Sequence, residues 1–96
     1  GETSVNATFA SLDNPRYDAA VAELERALAE GRGRLDPRTL KVVEDNLRII
    51  DRAVAEARQA VAADPGNTWL RSHLASTMQR KVDLLRSATS LASVQG

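Results

Sequence analysis

The chain has 96 residues, 43% hydrophobic but only 3% aromatic, with 13 Lys and Arg balancing 13 Asp and Glu and no cysteine. That describes one small neutral domain. It excludes an electrostatic footprint for nucleic acid or an anionic membrane, and it excludes a thiol nucleophile, a disulfide framework and a cysteine zinc ribbon.

Phe9, Tyr17 and Trp69 are the only large rings, so a core has to be built from Ala, Leu, Val and Ile, which favours closely packed helices. No apolar run approaches the roughly 20 residues of a membrane span. The N-terminus lacks the basic and then apolar organisation of a signal peptide. Gly1 in place of an initiator Met is expected of a chain left by a cleaved tag or of a piece excised from a longer protein.

Residues 1–14 are rich in Ser, Thr and Asn, with only Val5, Phe9 and Leu12 to anchor them, and read as a flexible tail or linker. Asn14-Pro15 is a helix start: Asn caps, and Pro takes the first helical position, where a missing N–H costs nothing. Tyr17, Val21, Leu24 and Leu28 recur at steps of four, three and four, and Gly31-Arg32-Gly33 ends the pattern in the manner of a C′ glycine. A first helix is predicted over about 15–31.

Asp36-Pro37 repeats the start device. Leu40, Val43, Leu47, Ile50, Val54, Ala57 and Val61 then form an uninterrupted heptad seam to about residue 63, beside a narrower stripe of Val42, Ile49, Ala53 and Ala60. Two stripes imply neighbours on two sides, so helix two is expected to be the central one. Surface pairs such as Glu44 with Arg48 and Arg52 with Glu56 are expected along it.

Asp64-Pro65-Gly66-Asn67 breaks the helix: Pro disfavours the helical region for Asp64, Gly tolerates positive φ, and Asn67 can cap the next helix. So short a connection folds that helix back antiparallel as an αα-hairpin. Helix three carries Leu70, Leu74, Thr77, Lys81, Leu84, Ala88 and Leu91 on one line and Met78, Val82 and Leu85 on the next, ending near Ala92 with 93–96 frayed. Helix one holds two basic against four acidic residues and helix three four basic against Asp83 alone, so helix one is expected to lie across helix three. The fold class predicted is all-α, an antiparallel three-helix bundle of helices about 15–31, 37–63 and 68–92 forming a single domain.

His73 is the only histidine, with no nucleophile motif and no second His at ligand spacing, and it reads as structural or solvent-facing. No catalytic, cofactor or metal residue is assigned. Lys81 interrupts an apolar line beside Arg80. It reads either as a recognition point for an acidic partner or as a boundary side chain whose stem covers apolar surface while its ammonium reaches water or an acid of helix one or two. Trp69 reads as a plug closing the hairpin end or, if exposed, as a contact hot spot. Trp69, Met78, Lys81 and Arg80 are the candidate partner contacts.

The Ala63-Asp64-Pro65-Gly66-Asn67 loop between amphipathic helices resembles the punctuation of tetratricopeptide repeats, which bind peptides in a groove, although the helices here are longer and the chain holds no second copy of the unit. A wider likeness runs from about Tyr17 to Ala92. It is carried by Leu35-Asp36-Pro37-Arg38-Thr39, by Asn46-Leu47-Arg48-Ile49-Ile50-Asp51-Arg52-Ala53, by the same loop, and by Leu74-Ala75-Ser76-Thr77-Met78-Gln79-Arg80-Lys81-Val82-Asp83-Leu84-Leu85. It resembles the C-terminal region of bacterial zinc-finger anti-sigma factors.

The resemblance implies a parent with an N-terminal cytoplasmic zinc segment that holds a sigma factor, one membrane span, and a helical sensor domain outside the cytoplasm. With no Cys and no span, neither zinc nor sigma binding transfers to any residue here. The expected function is a non-catalytic interaction or sensory domain that touches a protein partner or pairs with itself as a homodimer. It would be extracytoplasmic if the resemblance holds and cytoplasmic otherwise; the alternative is a peptide-binding helical module.

Overall fold

The structure, a computed structural model, describes residues 14–95; apart from Asn14, the expected N-terminal tail lies outside the described residues. Helix α1 spans Pro15–Gly31, a 3-10 turn comes next over Arg32–Arg34, α2 spans Pro37–Ala63 and α3 spans Thr68–Gln95. The all-α three-helix bundle and its helix boundaries are as predicted, except that α3 continues beyond Ala92 to Gln95.

Each start is a side-chain cap. Asn14 Oδ1 accepts the Tyr17 N–H at 3.0 Å, and the Asp36 carboxylate accepts those of Arg38 and Thr39 at 3.1 and 3.4 Å. Asn67 Oδ1 accepts the Leu70 N–H at 3.1 Å while its own N–H donates to the Asp64 carbonyl. These bonds satisfy donors that the first turn of a helix leaves without partners.

The two glycine expectations are corrected. Among the described residues no glycine has positive φ: α1 passes at Gly31 (φ −98°) directly into the 3-10 turn, so no left-handed residue is needed there, nor at Gly66. What Gly31 provides is closeness, since a Cβ placed on it would stand 3.0 Å from the Ala92 side chain.

α3 lies antiparallel to α2 and parallel to α1. Lys81 of α3 faces Asp51 of α2 and Glu25 of α1 at mid-height, and Gly31 meets Ala92 at one end. The central helix is therefore α3, not α2. It packs along both neighbours, whereas α1 and α2 do not approach each other as closely. The predicted seam of α2 is real: Val43, Ile50, Val54, Ala57 and Val61 are buried. Among the described residues no helix lies against its second stripe, and Val42 and Ile49 are 58% and 66% exposed.

On α3 the buried set is broad, with Leu74, Met78, Val82 and Leu85 fully enclosed and Ala75, Ala88 and Ala92 beside them. Each enclosed large side chain contributes about 1.5–3 kcal/mol by leaving water. Thr77, buried on the same face, donates its hydroxyl to the His73 carbonyl at 2.8 Å. The molecule extends 45 Å in its longest direction, close to the length of its two long helices at about 1.5 Å per residue.

The expected Glu44 to Arg48 pair does not form. Glu44 instead takes Arg32 at 2.7 Å, tying the 3-10 turn to α2, and Arg48 turns back to Asp45, which also accepts from Lys41 at 3.0 Å.

Candidate functional site

Where α1 and α2 diverge above α3 they leave a cleft of about 300 Å³, lined by Tyr17, Val21, Glu25, Asp51 and Arg58 with Lys81 at its floor. The Lys81 side chain is only 12% exposed; its Nζ lies 2.6 Å from Asp51 and 3.7 Å from Glu25. Burial alone would lower its pKa. The hydrogen bond to Asp51 and the charges of Asp51 and Glu25 outweigh that and raise it above the ordinary lysine value. A lysine held charged is neither a nucleophile nor a base near neutral pH; here it is a pin joining three helices.

Tyr17, buried in the same cleft, is also raised, chiefly by desolvation, which the charges of Lys81 and Arg58 partly offset. The Arg58 guanidinium stands 5.8 Å from the centre of its ring, within cation–π range.

Of the four residues predicted as partner contacts, two are on the surface. Trp69 is 69% exposed and does not plug the hairpin end. Its ring stacks on His73, centroids 5.4 Å apart and planes within 2°. Arg80 is exposed. Met78 is fully buried in the core and offers no surface to a partner. Lys81 takes the boundary-residue role, its ammonium satisfied by acids of both neighbouring helices. His73 is solvent-facing, and among the described residues no group of three His, Cys, Asp or Glu side chains is placed to hold a metal ion.

The apolar surface most open to a partner is the outer face of α2, whose second stripe the sequence marks as a face for a further neighbour. Ile49 and Ala53 sit there in a shallow groove edged by Asp45, Arg48, Arg52 and Glu56. A smaller apolar patch, Leu91 and Val94 beside Ser87 and Ser90, lies near the end of α3. No helix of the described residues is long and apolar enough to cross a membrane. Comparison with known proteins gives no matching family model, no matching curated protein and no matching solved structure.

Proposed function

We propose that this bundle is a non-catalytic protein-interaction domain, the sensory or scaffolding part of an anti-sigma-factor-like membrane protein that regulates transcription through partner contact. The observation that carries the interaction reading is the outward stripe of α2. The bundle completes its own core and still leaves Val42 and Ile49 in solvent at heptad spacing, framed by charges of both signs. The polar groups of the Lys81 cleft support the same reading, because the lysine is already bonded within the chain and its ammonium is not available for chemistry.

The link to anti-sigma factors rests on the sequence likeness alone, and so does a position outside the cytoplasm. The encoding reading frame tests it. A zinc motif of His and Cys upstream, then about 20 apolar residues, with a sigma-factor gene alongside, is the expected result. A frame that begins near residue 1 or continues into further helical hairpins overturns it. The alternative, a tetratricopeptide-like peptide-binding module, calls for Trp69 or Met78 exposed where a sensor bundle buries both; exposed Trp69 supports the module and buried Met78 the bundle.

A further inference from the structure

The outer face of α2 keeps a strict repeat: Val42, Asn46, Ile49, Ala53, Glu56 and Ala60 come at steps of four, three, four, three and four. That is the spacing of a seam for another helix. Single exposed apolar residues need no explanation, but a seam does, and this one lies alongside the face of α2 that α3 covers. Asn46 does not interrupt it, since its amide is folded along the helix and donates to the Val42 carbonyl at 2.9 Å.

The stripe is complementary to its own reverse. With two copies of α2 antiparallel and Ile49 opposite the partner's Asn46, Val42 stands opposite the partner's Ala53, large against small, and the two Ile49 side chains flank a two-fold axis. The same register sets Asp45, which in its own chain also holds Lys41 and Arg48, opposite the partner's Arg52, twice by symmetry. A parallel pairing would turn those charges toward positions 50 and 57, which carry Ile and Ala.

We propose that α2 is a self-association surface, through which two copies of this chain form an antiparallel α2-to-α2 pair about an axis near residues 47 and 48. The three apolar side chains per copy that meet the partner helix in this register, Val42, Ile49 and Ala53, bury less than the roughly 1,200 Å² of a standard interface, so the dimer is reversible and forms at about 10–100 µM. The inference deepens the interaction-domain reading and rests on it, but not on the anti-sigma likeness. A reading frame with no zinc motif leaves the dimer standing, and a chain that stays monomeric leaves contact with an unlike protein standing.

Sedimentation equilibrium of the chain from about 5 µM to about 1 mM tests it. The expected result is a concentration-dependent dimer that Ile49→Asp weakens at least tenfold while circular dichroism and the thermal midpoint stay as in the parent, because Ile49 supports no core contact. Asp45→Arg alone weakens the dimer by about tenfold, and Asp45→Arg with Arg52→Asp restores it to within about threefold. A monomer throughout the range, or an Ile49→Asp chain that pairs like the parent, overturns the surface. Failure of the charge swap to restore pairing overturns the register.

Discussion

Trp69 and Met78 share one helix and face opposite ways, and the difference is a matter of phase. Trp69, His73, Ser76, Arg80, Asp83 and Ser87 come at steps of four, three, four, three and four, and every one of them is exposed. Trp69 therefore begins a polar line. That phase was legible in the sequence, but the size of the ring and its place next to the loop suggested a plug. Met78 lies on the opposite side among Leu74, Val82 and Leu85. Met78→Ala is expected to cost about 2–4 kcal/mol by leaving a cavity in a closed core. Trp69→Ala should change stability by about 0.5 kcal/mol or less. Urea titration of both variants checks the pair, and a large loss for Trp69→Ala would mean that its stack on His73 holds the start of α3.

At the scale of elements, starts and stops were readable because their causes are local: Asn14-Pro15, Asp36-Pro37 and Asp64-Pro65-Gly66-Asn67 act within a few residues of themselves. The identity of the central helix was not local. α2 shows two stripes and α3 one wide one, and only packing decides that the wide face of α3 takes two neighbours while the second stripe of α2 takes none. The Lys81 cleft was half legible, since an acidic partner on helix one or two was expected, but the choice of Asp51 and Glu25 depends on the helix register.

The end of α1 allows a sharp test of close approach. At Gly31 a Cβ would meet the Ala92 side chain at 3.0 Å, whereas at Gly33 nothing lies within 4 Å, and neither residue has positive φ. Gly31→Ala should therefore push α1 off α3 and cost about 1–2 kcal/mol. Gly33→Ala should stabilise by about 0.5 kcal/mol through a less flexible unfolded chain. Thermal unfolding resolves opposite signs for the same chemical change, and Ala92→Gly in the Gly31→Ala background should recover part of the loss.

The whole molecule is joined at one charged point, and that point fixes how its stability responds to base. Lys81 and Tyr17 both have folded pKa values above their unfolded ones, so the folded chain holds both protons more tightly. Their contribution is complete below about pH 10, where both groups are protonated in either state, and is lost as pH rises through the folded values. Asp45 acts at the other end. Its hydrogen bond from Lys41 holds it below the usual carboxylate value, so its share is present above about pH 4 and lost as pH falls, but the pair lies in solvent and counts for little.

Stability should accordingly be level through neutral pH and decline in base more steeply than in a chain lacking the pin. Lys81→Met keeps the aliphatic stem that covers the core and removes the titration, and Tyr17→Phe removes the second proton. Tyr17→Phe should flatten the decline above about pH 10 and the double variant should flatten it most, whereas Lys81→Met alone removes one titration but also the charge that holds Tyr17 down, and should flatten it least. Thermal midpoints of the four chains from about pH 7 to about pH 11 decide the matter. A parent curve unchanged by either substitution would mean that α1, α2 and α3 are held together by their apolar faces alone, with Lys81 merely tolerated among them.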